Sequence, residues 1–140
     1  MKNFALSIFA LLFFISCQEK QPETFDLKLL NGYWEIEQVT LADGSKKEYK
    51  MNETIDFFEI KNDSGFRKKV VPQFDGTYLV NDSDEKLKIE KKEDGTYISY
   101  KTAYASWTEK ITTLTTTQLI LENKQNLKYH YKKPTPFTVK

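Results

Sequence analysis

The sequence predicts an all-β protein, an antiparallel up-and-down meander of eight to nine strands that closes into a barrel. Short segments alternate apolar and charged residues, clearly so in 86–91 and 127–132, which gives each strand one dry face and one wet face. Asp-Gly pairs punctuate these segments, and such pairs are typical of tight hairpin turns. A meander with one dry face can remove its exposed edges by closing on itself.

The alternation predicts nine strands, at 33–41, 53–60, 66–72, 76–81, 86–91, 96–104, 107–115, 118–122 and 127–132. The polar run 81–85 is then expected to form a hairpin turn between two of them. The tetrapeptide DGTY begins at Asp75 and again at Asp94. Because two predicted strands lie between these turns, both are expected at the same end of the meander.

The first residues have the layout of an export signal rather than of a folded element. A lysine at position 2 precedes Phe4 to Ile15, a run of twelve uncharged residues. This run is shorter than the roughly 20 apolar residues that a membrane-spanning helix needs. It matches the charged start and apolar centre of a secretory signal peptide, predicted here over 1–16.

The sole cysteine, Cys17, directly follows this segment. The preceding residues Phe14, Ile15 and Ser16 resemble a bacterial lipobox, with Ile15 bulkier than usual at its position. The resemblance implies that Cys17 carries a diacylglycerol group after cleavage. A lone cysteine in an exported protein calls for such a special role, since secreted proteins generally pair their cysteines. Gln18, where Asp often retains lipoproteins in the inner membrane, favours the outer membrane, with the domain facing the periplasm or the cell surface.

Three parts follow from this reading: the signal peptide at 1–16, the lipidated cysteine with a polar tether at 17–27, and a barrel domain at 28–140. Without residues 1–16 the formal charge is zero, because the segment contains one lysine and no acidic residue. A balanced surface argues against nucleic acid as a partner. The expected partner is the membrane, held through the lipid on Cys17, with a protein of the envelope as a further possibility.

The first predicted strand carries the most specific resemblance. Gly32, Tyr33 and Trp34 match the G-x-W opening of lipocalins, and the segments "LNGYWEIEQVTLADG", "WTEKITTLTTTQLILE" and "LKYHYKK" are similar to the lipocalin-like domains of bacterial lipoproteins. The resemblance implies a barrel whose floor is plugged by an inward-pointing Trp34. Typical lipocalins also pack an arginine from near the last strand over this tryptophan. Arg67, the sole arginine, lies in the third predicted strand, so Lys128 takes that role or no residue does.

Few residues suggest chemistry. His130 is the sole histidine, and the alternation places it on the polar face of its strand, where a solvated surface residue is expected. A zinc site would lack its usual ligands. The sequence therefore predicts no metal site, no cofactor and no enzymatic activity.

Aromatic and aliphatic residues on expected inward faces are the candidate ligand-binding set: Trp34, Ile36, Tyr78, Ile98, Tyr100, Tyr104, Trp107, Tyr129 and Tyr131. They either fill the core or line a pocket, since small barrels do one or the other. Two functions remain open. One is a membrane-anchored carrier of a small apolar ligand of the lipid or fatty-acid class, which the lipocalin resemblance implies. The other is a packed barrel that acts as a protein-interaction or structural module of the envelope.

Overall fold

The computed structural model describes residues 23–50, 52 and 54–134, and for Asn81 and Asp82 it describes the backbone alone. Cys17 and the predicted signal peptide lie outside the described residues. A 3-10 helix at Leu27–Leu30 precedes nine strands: β1 Gly32–Thr40, β2 Lys46–Glu48, β3 Ile55–Lys61, β4 Ser64–Pro72, β5 Tyr78–Lys92, β6 Gly95–Lys101, β7 Ser106–Leu114, β8 Gln118–Glu122 and β9 Lys128–Lys132. None of the helices in the described residues is long and apolar enough to cross a membrane.

The strands form one antiparallel sheet in which β1 and β3 to β9 pair in sequence and β9 pairs back with β1. This closure makes an eight-stranded barrel and confirms the predicted fold class. Sequential hairpins produce it, because every strand from β3 to β9 pairs with the next one along the chain. We call the end with the 3-10 helix the floor and the opposite end the mouth.

The floor is closed by apolar side chains. Asp26 caps the 3-10 helix by accepting a hydrogen bond from the backbone N–H of Lys28, and Leu30 of this helix is fully buried against the core. Phe25 and Leu27 also pack against the core. Among the described residues, packing against the core therefore starts at Phe25, within the segment that the sequence assigns to the tether.

Gly32 directs the chain from this helix into the barrel. Its φ is +111°, in the region that side chains with a Cβ rarely adopt. Two residues later, Trp34 points inward and is completely buried. The predicted plug at the floor is thereby confirmed.

One predicted pair of strands is in fact a single strand. The segments at 76–81 and 86–91 form the continuous β5, and the polar run 81–85 lies within it rather than in a turn. The run is instead a bulge: Lys68 pairs with Asp84 and Val70 pairs with Val80, so one residue of β4 faces 81–83 of β5. The two DGTY turns are then separated by one strand and lie at opposite ends of the barrel, against the prediction.

The strand β2 is absent from the sequence prediction. It is three exposed residues long, and it pairs only with the mouth half of β1, from Gln38 to Thr40. Short, fully exposed strands show no apolar alternation, which is the signal that identified the others.

The mouth half of β1 separates from β3. The two strands pair only as far as Trp34 opposite Asp56, and beyond this point β1 pairs with β2 and β9. Residues 49, 50, 52 and 54 lie along the resulting gap. The Tyr49 N–H donates to the Glu37 carbonyl, and the side-chain amide of Asn52 donates to the carbonyl of Ile36. This fork in the sheet positions the candidate site.

Candidate ligand-binding site

Five charged side chains occupy inward positions in the mouth half of the barrel. Asp56 comes from β3, Arg67 and Lys69 from β4, Glu85 from β5, and Glu109 from β7. Strand pairing sets each of them beside another inward residue, as in Asp56 opposite Lys69 and Arg67 opposite Glu85. Charged groups are rarely buried unless they are paired, so each of these side chains is expected to have a partner of opposite charge.

Arg67 is the centre of this cluster. Its guanidinium donates from Nε to Glu85 Oε2 at 2.6 Å, and its Nη1 lies 3.5 Å from Glu109 Oε1. The guanidinium also stacks over the ring of Tyr100, 4.3 Å from the ring centroid. Burial by itself lowers the pKa of Arg67, but the surrounding tyrosines and carboxylates outweigh it and raise that pKa. Arg67 is thus a fixed cation whose charge is already neutralised.

Two groups beside Arg67 lack regular hydrogen bonds. Tyr100 Oη and Glu109 Oε1 are both buried, and neither makes a hydrogen bond of regular geometry within the described part of the chain. Burial raises the pKa of the Glu109 carboxyl, against the opposing effect of Arg67. Burial also raises the pKa of Tyr100 well above its usual value. Such groups are normally satisfied by water or by a ligand.

Asp56 is the most deeply buried carboxylate of the site, with 2% of the residue exposed. One of its oxygens, Oδ1, contacts the ammonium of Lys69 in an ion pair, yet neither carboxylate oxygen receives a hydrogen bond of regular geometry from the described residues. The Tyr131 hydroxyl lies beside it. Burial, followed by the charge of Asp56, raises the pKa of Tyr131 well above its usual value.

A cavity of about 280 Å³ opens at the fork between β1 and β3, and Asp56 is one of its walls. We call it the inner cavity. Its remaining lining residues are Trp34, Ile36, Asn52, Thr54, Ile55, Lys69 and Tyr131. It therefore joins aromatic and aliphatic walls to one deeply buried carboxylate, a combination typical of sites that orient a small ligand.

A second cavity of about 740 Å³ lies at the mouth, and we call it the mouth cavity. It is lined by Arg67, Lys69, Glu85 and neighbouring residues of β5, and by the turn between β6 and β7. Lys69 borders both cavities. Because 53% of its side chain is exposed, Lys69 can leave Asp56 for solvent without leaving a packed site.

Several predicted ligand-binding residues do lie inside the barrel. Trp34, Ile36 and Tyr131 line the inner cavity, whereas Ile98 and Tyr100 are buried in the core. Trp107 stacks on Tyr100 with ring centroids 5.2 Å apart, and Tyr129, packed on the core, accepts a hydrogen bond from Asn123 at 3.3 Å. The structure thus brings three of the nine candidates together at one cavity.

The inward placement of two candidates is wrong. Tyr104 lies in the turn between β6 and β7 and is 99% exposed, because β6 ends at Lys101, three residues earlier than predicted. Tyr78 lies outside the barrel, where its ring stacks on that of Tyr33 at 4.0 Å. Tyr33 points outward since its neighbour Trp34 points inward. The β5 bulge bends the hairpin that brings Tyr78 to this outer surface.

The residue that packs over Trp34 is Lys133, not Lys128. Its Nζ lies 3.8 Å from the centroid of the Trp34 ring, and its partial burial lowers its pKa. Lys128 begins β9 at the mouth, at the other end of the barrel from Trp34. On the other ring edge, Trp34 Nε1–H donates to the Leu30 carbonyl at 2.8 Å, which satisfies its polar atom.

Sequence reasoning missed the charged cluster because it searched inward faces for apolar residues. The signal was available: Glu109 alternates with Trp107 and Ile111, and Asp56 alternates with Phe58. A charged residue at an inward position of an otherwise apolar face marks a buried charge. His130, by contrast, lies outside the core as expected, with Nε2 3.0 Å from Thr40 Oγ1.

Comparisons with known proteins place the chain in a family. No curated protein matches it. Two solved structures resemble it: a lipocalin-like protein from Bacteroides uniformis (19% identity, TM-score 0.48, covering 76% of this chain and 99% of that one) and an uncharacterized protein from Bacteroides eggerthii (16% identity, TM-score 0.46, covering 74% and 98%). The family model described as a lipocalin-like domain matches residues 30–121, which is more than half of the 140 residues. The chain therefore belongs to the lipocalin-like domain family.

Proposed function

We propose that the protein is a lipid-anchored lipoprotein of the bacterial cell envelope whose lipocalin-like barrel binds a small ligand in the inner cavity. The observation that carries the ligand site is Asp56, a carboxylate that is 2% exposed, lines this cavity and receives no regular hydrogen bond from the described residues. A buried polar group without partners is costly. A ligand that donates hydrogen bonds to Asp56 would remove this cost and would gain binding free energy by doing so.

The inner cavity favours a small ligand with a polar group over a wholly apolar one. Its volume of about 280 Å³ lies just below the range usual for drug-sized ligands. An apolar lipid tail would leave Asp56 without donors and displace any water that supplies them. Within the lipid class expected from the sequence, the walls formed by Trp34, Ile36 and Ile55 suit only a short hydrocarbon part.

The proposed anchor rests on Cys17 and its sequence context. Because packing against the core starts at Phe25 among the described residues, the segment 18–24 remains as the tether between lipid and barrel. At about 3.3 Å per extended residue, these seven residues reach at most ~23 Å. The barrel would then lie close to the membrane surface, with its floor nearest the anchor point.

Ligand binding can be tested by blocking the inner cavity. Thr54 is exposed at its edge, so Thr54→Trp should fill the entrance without disturbing the core. Isothermal titration of the purified protein with short-chain fatty acids, alcohols and amines should give saturable heat that this variant abolishes. Glu59→Trp, an exposed position on the strand β3 that follows Thr54, is the matched control and should bind as the wild type does.

The anchor has a separate test. Cys17→Ser should move the protein from the membrane fraction to the soluble fraction and should abolish labelling by palmitate analogues. Gln18→Ser, which leaves the cysteine in place, is the control. A Cys17→Ser protein that still takes up the label would refute lipidation at this residue.

An interaction module remains a second candidate function because of the hairpin that joins β4 and β5. Val71 and Leu79 are paired on one face of this hairpin and are both exposed, and Phe74 near its tip is 86% exposed. Exposed apolar patches can mark contact sites with proteins. A photo-crosslinking residue at position 79 should then form a discrete adduct in cells that the same residue at position 59 does not form.

A further inference from the structure

We propose that the inner cavity selects a small organic amine cation, whose ammonium replaces that of Lys69 at Asp56. This inference rests on the proposed function of the same cavity, and it names the class of ligand. The geometry that carries it is a deeply buried carboxylate with one half-exposed counter-ion, beside an aromatic wall.

The inward-pointing charges in the mouth half of the barrel do not balance. They comprise three carboxylates, Asp56, Glu85 and Glu109, and two cations, Arg67 and Lys69. The imbalance becomes larger when Lys69 extends into solvent. A buried excess of negative charge attracts a cationic ligand and disfavours a carboxylate such as that of a fatty acid.

The position of the excess charge points to Asp56. Arg67 already contacts Glu85 at 2.6 Å and Glu109 at 3.5 Å, so its charge is committed to those two carboxylates. The half-exposed ammonium of Lys69 is the cation that contacts Asp56, and among the described residues no donor makes a hydrogen bond of regular geometry to its Oδ2. The group with the greatest unmet demand for a donor is therefore the one that faces the cavity.

A primary ammonium matches this demand. It has three N–H donors, and charge-assisted hydrogen bonds to a carboxylate are roughly twice as strong as neutral ones. The described residues contain no group of three or more His, Cys, Asp or Glu side chains that could hold a metal ion. A single carboxylate suffices for an organic ammonium, so the amine is the cation that this site fits.

The walls of the cavity fit the rest of such a ligand. Trp34, Ile36 and Ile55 offer apolar surface next to Asp56, on which a short hydrocarbon chain can pack. The amide of Asn52 and the hydroxyl of Tyr131 border the same space and can bind a second polar group. The preferred ligand is thus an amine with a compact apolar part.

Three probes of similar shape and different charge test the inference: n-butylammonium, n-butanol and butyrate. Titration calorimetry of the purified full chain at pH 7 should rank n-butylammonium as the tightest of the three. Asp56→Asn should weaken n-butylammonium binding by roughly 10-fold to 100-fold, the loss expected for a charged hydrogen-bonding partner. Glu59→Gln, which neutralises an exposed carboxylate on the outward face of the same strand, should leave it unchanged.

A second variant keeps the test decisive if Asp56→Asn fails to fold, which thermal unfolding would reveal. Lys69→Met removes the ion that the ligand has to displace, so n-butylammonium should bind roughly 10-fold tighter. Unchanged or weaker binding to Lys69→Met would overturn the inference.

The outcomes separate this inference from the proposed function. Preference for butanol or butyrate, with binding abolished by Thr54→Trp, would overturn the amine and keep the inner cavity as a ligand site. Absence of binding by all three probes would overturn the proposal of an amine ligand. The wider ligand panel with Thr54→Trp would then decide whether the inner cavity is a ligand site at all.

Discussion

The floor half and the mouth half of the barrel differ in their inward-pointing side chains, which are apolar around Trp34 at the floor and include five charged residues at the mouth. At the floor, Leu30, Trp34 and Phe58 are completely buried, and the indole N–H of Trp34 has a partner. In the mouth half, the inward positions of β3, β4 and β7 hold Asp56, Arg67 and Glu109, and the oxygens of Asp56 and Glu109 Oε1 receive no regular hydrogen bond from the described residues. Buried polar atoms that have all their hydrogen bonds stabilise the fold, whereas those that lack them can form new hydrogen bonds with a ligand.

The cause of this difference is the fork in the sheet. Up to Trp34 the first strand pairs with β3, and from Glu35 onward it pairs with β9. Beyond Trp34, β1 pairs with β2 on the side of β3, so the mouth half has a gap beside which Tyr49 and Asn52 bond to the backbone of β1. A gap can admit water, and this makes the buried carboxylates tolerable there.

The largest expected effect comes from the floor. Trp34→Ala should lower the free energy of unfolding by roughly 3–5 kcal/mol, because it removes a large buried side chain and leaves a cavity. Urea denaturation measures the change. Trp107→Ala, which shortens a half-buried indole at the mouth, should cost clearly less, and equal losses would contradict the contrast between the two halves.

Arg67→Met should be the most damaging change in the mouth half, at about 3 kcal/mol, since it leaves Glu85 and Glu109 buried without their cation. Equilibrium unfolding is again the measurement, with the exposed Lys86→Met as control. Adding Glu85→Gln and Glu109→Gln should recover most of the loss. Failure to recover would mean that Arg67 stabilises the fold by packing rather than by charge.

Lys133→Met should have a smaller effect at the floor, roughly 0.5–1 kcal/mol, because it removes the cation from the face of Trp34 but keeps an apolar side chain there. The fluorescence maximum of Trp34 should shift in the same variant. Lys132→Met is the control and should leave both properties unchanged. Lys128→Met should do the same, in contrast to the expectation from the sequence.

The smallest effect is a trend with pH. Burial raises the pKa of Glu109 in the folded state, so its contribution to stability is complete below the pKa of the unfolded chain and is lost as the pH rises through the higher folded value. Glu109→Gln cannot ionise. Between pH 4 and pH 8 the variant should therefore lose less stability than the wild type, and parallel stability curves would show that Glu109 ionises without cost.

The sequence predicted most of the barrel because the signal of a strand is local. Alternation placed seven of the nine strands to within a few residues, and Gly32 with Trp34 identified the floor. Alternation failed to predict the structure where a local composition is compatible with two different structures. The polar run 81–85 has the composition of a turn, but it forms a bulge because the neighbouring strand β4 continues to pair on both sides of it.

For the candidate site, the sequence identified the walls and missed the carboxylate. Trp34, Ile36 and Tyr131 were expected as ligand-binding residues, and they line the inner cavity. Asp56 was not, since a single charged residue in a strand is normally solvated. Only the pairing of Trp34 with Asp56 at the last contact between β1 and β3 places this carboxylate inside the gap.

By itself, the sequence determined an all-β meander, its direction of closure around Trp34, and the cysteine from which an anchor is proposed. These features depend on residue type and on spacing over a few positions, and both are properties of the sequence that do not require tertiary contacts. The tertiary structure decided that Lys133 covers Trp34, that Tyr78 and Tyr104 lie outside the barrel, and that Asp56 is buried. Those facts depend on which strands become neighbours, because burial and charge pairing are properties of the closed sheet and not of any one strand.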